Sequence, residues 1–265
     1  MSDPVVLCET DDRGVATVTF NRPKVNNAYN ADVILRLIET FGALAGDDTV
    51  RMVVIRGNGR HFQAGADLKW LADVATMNPE ENLDVSRNTT NAVRGLNEFP
   101  KPTLALVHGG CFGGGTGVIA ACDIVVASED AIFSITEARW GVMAAPIFPQ
   151  LNAAMGEHNV RRYALTCERF GAQEAWEIGL VDEVCATGAL DTTAGPIIED
   201  ILAGGPNALK DTKRLVQDIG RLAVDDTLAE ALARVHALKR QTEEADEGLL
   251  SFVEKRKPTW YPGES

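Results

Sequence analysis

The sequence predicts an α/β fold with a largely parallel sheet, continued by an all-helical C-terminal region. Three observations carry this. Strand-like and helix-like segments alternate up to about residue 130. Two apolar runs, Met52-Val53-Val54-Ile55 and Thr103-Leu104-Ala105-Leu106-Val107, show no alternation, as strands covered on both faces do. From Asn207 onward only helix signals remain. Leu228, Leu232, Val235 and Leu238 stand at i, i+4, i+7 and i+10, on one helical face.

Taken in order, Val5 to Cys8 and Val15 to Phe20 read as two strands around the turn Asp11-Asp12-Arg13-Gly14. Asn21-Arg22-Pro23 ends the second. Asn30 is a good N-cap for a helix through Ala45 with Val33, Leu37, Phe41 and Leu44 on one face. The strand at Met52 leads into a glycine-rich loop, Gly57 to Gly65, and a short helix starting at Ala66 or Asp67. Glu80 to Phe99 is polar and helix-competent. The strand at Thr103 is followed by Gly109-Gly110 and Gly113-Gly114-Gly115, then by an apolar helical run to Cys122. Ile124 to Ala127 is a further strand, and Asp191 to Gly205 reads as a joint plus one helix.

Composition narrows the function. Twenty-five basic and 38 acidic residues give a net charge of −13, which argues against nucleic acid as a partner. Five scattered cysteines without a CxxC or Cys/His cluster predict neither a zinc site nor a disulfide framework. Met1-Ser2-Asp3-Pro4 begins no apolar leader, and no run is long enough to span a membrane, so a cytoplasmic protein is expected.

The chemistry-bearing residues lie in the glycine loops. Glycine lets backbone approach a ligand closely, and a helix starting there presents unpaired N–H groups and a positive dipole end. Gln63-Ala64-Gly65-Ala66-Asp67 offers the N–H of Ala66; Gly113-Gly114-Gly115 offers that of Gly114. Either loop alone also fits an ordinary turn. Two of them, each following a buried strand, point to a site for an oxygen that becomes negative during reaction. Glu137 is the candidate acid/base. It has no other carboxylate within six residues on either side, and Phe133, Ile135 and Trp140 beside it should raise its pKa. A surface glutamate is the competing reading. His108 stands directly after a buried strand and could be structural or titrating. Asp123 reads as satisfying backbone or a cation. Phe252 with Lys255, Arg256 and Lys257 is either a solvated helix end or a phosphate contact.

With these residues in place the chain resembles the crotonase (enoyl-CoA hydratase/isomerase) superfamily over nearly its whole length. The marks are Asn21-Arg22-Pro23 with Asn27-Ala28, Ala64-Gly65-Ala66-Asp67-Leu68, the triple glycine, Ala121-Cys122-Asp123 and Phe133-Ser134 up to Glu137. Ala172 to Val181 and Glu247-Gly248 through Lys257 complete the set. The resemblance implies a ββα spiral core over residues 1–195 and a helical trimerisation region over 196–265, assembled as a homotrimer or dimer of trimers. It implies an acyl-CoA thioester held between the N–H groups of Ala66 and Gly114, with no metal and no cofactor beyond the substrate's own CoA. Ala64, Asp67, Leu68, Lys24 and Lys69 match family positions near the CoA. Phe252 and Lys255 match positions that reach a neighbouring subunit's CoA.

One departure bears on mechanism. Hydratases of the family with two carboxylates carry a glutamate where this chain has Gly117; their second matches Glu137. The wording His108 to Gly115 and Glu137-Ala138-Arg139-Trp140-Gly141 resembles hydratases of carboxylated branched enoyl-CoAs. The isohexenylglutaconyl-CoA type, of acyclic terpene breakdown, is expected first. The methylglutaconyl-CoA type, of leucine breakdown, comes next. Arg139 is then the first candidate for the substrate's free carboxylate, and a structural ion pair its competing role. A Δ3,Δ2-enoyl-CoA isomerase and a catalytically silent scaffold with the same fold remain open.

Overall fold

The computed structural model describes residues 3–220, 222 and 225–262; Met1 and Ser2 of the N-terminal reading lie outside them. Strands β1 (Val6–Thr10) and β2 (Val15–Phe20) form the expected hairpin. Helix α1 (Ala31–Gly46) follows, and the Asn30 side chain accepts from Val33 N–H as its cap. Its buried face is the one expected, with Ile34 added. Strand β3 (Met52–Gly57) leads to α2 (Leu68–Ala75), which Asp67 caps. Helix α3 (Pro79–Asn97) starts in a reciprocal cap between Asn78 and Glu81. Next come β4 (Thr103–Val107), β5 (Gly110–Phe112), α4 (Gly114–Ala120), β6 (Ile124–Ser128) and β7 (Ile132–Ser134). Helix α5 (Phe148–Thr166) is broken at Gly156, whose φ is 75°. Then follow β8 (Phe170–Gly171), α6 (Ala172–Glu177), β9 (Glu183–Cys185) and four helices: α7 (Leu190–Ala203), α8 (Pro206–Ile219), α9 (Asp226–Lys239) and α10 (Glu243–Glu254).

Two sheets result. The larger has the order β1-β2-β3-β4-β6-β9, and every pairing after the first hairpin is parallel. Strands β3 and β4 are buried on both faces, as their unbroken apolar runs require. One face packs on α1 and α3 through Val33, Phe41, Val93 and Leu96. The other is covered by α7 through Leu190, Ala194 and Leu202. The second sheet, β5-β7-β8, stands beside the first and carries the triple glycine at the end of β5.

Helix α7 runs across position 195, so the expected division at 195/196 falls inside an element packed on the sheet. By packing, the helical tail begins after Ala203. Helices α8 to α10 bury Ser251 alone among their described residues and expose Val216, Val235, Leu238, Leu249, Phe252 and Val253. Arg51, at the entrance to β3, ties the tail down: it donates to Trp260 O, Leu202 O and Gly204 O at 2.6, 3.3 and 2.9 Å. Among the described residues no helix is long and apolar enough to cross a membrane, and no acidic or His/Cys group could hold a metal.

Candidate active site

Because β2, β3, β4 and β6 run parallel, the loops after β3 and β4 leave the sheet at one edge, where α/β folds gather ligands. The loop before α2 is fastened to residues 26–29. Ala64 N–H donates to Asn26 O at 3.0 Å, Tyr29 N–H to Gly65 O at 2.8 Å, and Asp67 N–H to Tyr29 O at 2.8 Å. Tyr29 and Ala66 thus form a parallel bridge whose two bonds flank Ala66. The N–H of Ala66 takes no part in that bridge, and Ala66 lines a large cavity.

The second donor comes from the triple glycine. Gly113 has φ 51° and ψ −124°, a conformation open to glycine, and its N–H donates to Ser134 O at 2.9 Å. Gly114 is the first residue of α4, so its N–H has no carbonyl one turn earlier to bond. Gly114 also lines the cavity.

Glu137 sits in the short 3-10 turn Glu137–Trp140 after β7. The parallel pairing of β5 with β7 brings it against the triple glycine. A carbon built on Gly113 would lie 3.0 Å from Glu137 Oε1 and 3.1 Å from Thr136 Oγ1. Its Oε2 is buried and accepts no hydrogen bond among the described residues. Burial raises the Glu137 pKa above the usual carboxylate value, and bonds from its own and the Thr136 backbone only partly oppose this. A carboxylate poised nearer neutrality, with one oxygen free, can take and return a proton.

Position 117 is closed. A carbon on Gly117 would fall within 3.0 Å of both Cβ and Cγ2 of Ile147 and 3.3 Å from its Cδ1. Ile147, in the 3-10 turn Ala145–Ile147, is itself buried. Where two-carboxylate hydratases place an acid, this chain has an apolar wall.

The cavity has a volume of about 1040 Å³ and runs from Glu137 between α2 and α3 toward Phe41 and Ile34 on α1. Ala64, Leu68 and Arg139 line it with Ala66, Gly114 and Glu137. Arg139 Nη2 donates to Cys167 O at 3.2 Å. Asp67 does not line it; its carboxylate caps Lys69 N–H at 3.2 Å and pairs with Arg22 at 3.2 Å, a structural placement. Lys24, Lys69, Phe252 and Lys255 lie outside the cavity of their own chain. Phe252 is 83% exposed. Asp123 accepts from Thr103 N–H and Oγ1 and pairs with Lys213 at 2.7 Å, the backbone-and-cation role expected of it.

Sequence reasoning missed Tyr29, Ile147 and Arg169. Tyr29 lines the cavity against Gly114, and burial, then the Glu137 charge, raises its phenol pKa. Its position directly before the Asn30 cap was the available signal. Arg169 lines the cavity with its guanidinium 5.5 Å from the Phe112 ring centre.

The chain matches the family model described as Enoyl-CoA hydratase/isomerase over residues 10–262. The chain belongs to this family. The crotonase relationship read from the motifs therefore holds, and so does the fold it implied. A solved enoyl-CoA hydratase from Shewanella pealeana superposes with a TM-score of 0.93 at 34% identity, covering 97% of this chain and 96% of that one. Among curated relatives, the 2,3-dehydroadipyl-CoA hydratase of Escherichia coli is 31% identical over 92% of this chain and 94% of its own length. The peroxisomal Delta(3,5)-Delta(2,4)-dienoyl-CoA isomerase of Arabidopsis thaliana is 29% identical over 96% and 95%. The family and the relatives named here thus include both hydratases and isomerases of enoyl-CoA thioesters.

Proposed function

We propose that the protein adds water across the double bond of a branched 2-enoyl-CoA bearing a second carboxylate. Isohexenylglutaconyl-CoA is the favoured substrate and methylglutaconyl-CoA the next. The thioester oxygen is held between the N–H groups of Ala66 and Gly114, which draws electron density away from C3. Glu137 takes a proton from water as the water oxygen bonds to C3. The π electrons move onto the thioester as an enolate, and Glu137 returns the proton to C2. The observation that carries this is Glu137 Oε2, buried and without a hydrogen-bond partner among the described residues, in the cavity that Ala66 and Gly114 also line with N–H groups bonded to no carbonyl among those residues.

The acyl-group assignment has its own support. Buried carboxylates need cations or several donors, and Arg139 and Arg169 both line the cavity. The Escherichia coli relative is named for a thioester of a dicarboxylic acid. The apolar stretch toward Phe41 suits a hydrocarbon branch. The exposed apolar residues of α8 to α10 support assembly as a homotrimer or dimer of trimers, with Phe252 and Lys255 reaching a neighbour's CoA.

Isomerisation is the second reading, favoured by the lone carboxylate, since one acid/base can also carry a proton between C2 and C4. Retained Glu137 and intact donor loops count against a silent scaffold. The test incubates the protein in heavy-oxygen water with isohexenylglutaconyl-CoA, methylglutaconyl-CoA, crotonyl-CoA and 3-enoyl-CoAs. Label at C3 of the branched substrates is expected, with a loss of at least about 10²-fold in kcat for Glu137→Gln. Double-bond migration without oxygen incorporation replaces hydratase by isomerase; no turnover of any thioester leaves the scaffold.

A further inference from the structure

Two histidines outside the reacting centre tie together the loops that carry the oxyanion donors. His108, directly after β4, has Nε2 2.8 Å from Gly59 O. A carbonyl only accepts, so this nitrogen holds the proton. His61, in the opposite loop, has Nδ1 2.8 Å from Gly110 N. A backbone amide only donates, so Nδ1 is without a proton and the His61 ring is neutral. Each imidazole thus reaches from one loop to the other.

The backbone is shaped around His61. A carbon on Gly109, whose φ is +56°, would lie 3.0 Å from His61 Nδ1 and overlap the Arg60 carbonyl. One on Gly110 would lie 3.1 Å from the same nitrogen and 2.6 Å from the Phe112 ring. Two glycines in succession let the imidazole sit directly on the strand. That strand is β5, which continues through Phe112 into Gly113 and Gly114. The His61 loop continues into Gly65 and Ala66. Below the imidazole the two loops pair through Gln63 N–H to Gly110 O at 3.1 Å and Phe112 N–H to Gln63 O at 2.9 Å.

We propose that His61 is a positioning residue of the oxyanion site: its neutral ring, accepting from Gly110 N–H, sets the spacing of the Ala66 and Gly114 donors, and its protonation in acid releases β5 and lowers thioester turnover. Protonation puts a hydrogen on Nδ1 facing the Gly110 N–H, donor against donor. Burial, then the Arg60 and His108 charges, hold the ring below the usual histidine range, so the neutral form prevails near neutrality. Among the described residues the charges acting on it are those of Arg60 on its own loop and His108 at the end of β4; the one titratable side chain of β5 is the buried thiol of Cys111. The inference rests on the oxyanion reading of Ala66 and Gly114, and its test separates the two.

The test has an activity-independent arm and a kinetic arm. Long-range proton–nitrogen NMR of histidine-labelled protein reads the ring directly. His61 is expected as the Nε2–H tautomer, with Nδ1 a hydrogen-bond acceptor, titrating below ordinary histidine. A His61 that carries its proton on Nδ1, or titrates like a free imidazole, overturns the proposal even if no thioester is turned over. Kinetically, His61→Leu should lower kcat by roughly 10- to 100-fold, the scale of a misplaced group, with KM little changed. His61→Asn, whose Oδ1 can accept the same bond, should recover most of that rate and remove the His61 step from the acid limb of kcat/KM, leaving the step of Glu137. A His61→Leu enzyme with wild-type kcat and pH profile, or a His61→Asn enzyme as slow as His61→Leu while folded, overturns it as well.

Discussion

Replacing Gly117 by alanine tests whether the apolar wall at that position is a packing fact. The new carbon would lie inside the 3.0 Å limit of real contacts to Ile147 Cβ and Cγ2 and 3.3 Å from Cδ1. Because Ile147 Cβ is fixed to the backbone, a rotamer change cannot relieve the overlap; the Ala145–Ile147 turn or α4 must move. Overpacking of this kind costs about 1–3 kcal/mol. For a chain of this size that lowers Tm by roughly 2–4 °C per kcal/mol, hence roughly 2–12 °C. Ile147→Gly removes the offending atoms and leaves a cavity, itself destabilising by about 2–5 kcal/mol. In that background Gly117→Ala should become neutral or stabilising, a coupling of about 0.5–3 kcal/mol. The assay is thermal unfolding of the four proteins by circular dichroism. A Gly117→Ala protein as stable as wild type, or a penalty unchanged by Ile147→Gly, refutes the reasoning.

Four further outcomes follow from the same geometry. Glu137→Gln should raise Tm at neutral pH. The fold raises this carboxyl's pKa, so the native state binds its proton more tightly than the unfolded chain does, and that stability is lost as pH rises through the folded value; the gain should shrink in acid, on the same limb where wild-type kcat/KM falls. Gly114→Pro removes a donor and presses on Tyr29, 2.6 Å from a carbon built there, so kcat should drop by roughly 10²–10³ in stopped or steady-state assays. Lys255→Ala should raise KM several-fold for CoA thioesters and leave pantetheine thioesters unchanged, an exposed charge–phosphate contact being worth about 1 kcal/mol or less; equal effects on both would remove its phosphate role. Arg51→Ala leaves three carbonyls without their guanidinium donor and should lower stability by about 2–4 kcal/mol in denaturant titration, three hydrogen bonds of about 1 kcal/mol each.

How much was legible depended on length and locality. Strands β2, β3, β4 and β6 were read because each runs five or six residues with four of them apolar, enough for a strand pattern to show. The second sheet was not, because β5, β7 and β8 have two or three residues each and β5 begins in glycines that signal a turn. Glu137, Ala66 and Gly114, which the fold brings to one cavity, stood out as candidates through local chemistry, a lone carboxylate and two glycine loops. Ile147 acts on Gly117 purely by volume, across a separation that no pattern bridges. His61 was hidden for a related reason: its partner is a backbone amide in another loop, and backbone partners leave no mark on residue identity. Asp67 illustrates the reverse, a motif residue whose side chain is used for capping and for Arg22.

The wall of the cavity formed by α2 and α3 has a thermodynamic consequence for any acyl chain that enters. Helix α2 buries Val74 alone, and α3 buries Val93 and Leu96 in its last turns, so the stretch from Leu68 to Ala92 is anchored mainly at one end. Segments with few buried apolar contacts sit at the low end of a protein's local stability. Filling the cavity with hydrocarbon supplies this wall with the contacts it lacks, and part of the transfer free energy, about 0.8 kcal/mol per methylene, is absorbed in ordering the helices. Affinity should therefore rise more slowly with chain length than hydrocarbon transfer alone dictates, while amide exchange along α2 and the first half of α3 slows with each added carbon.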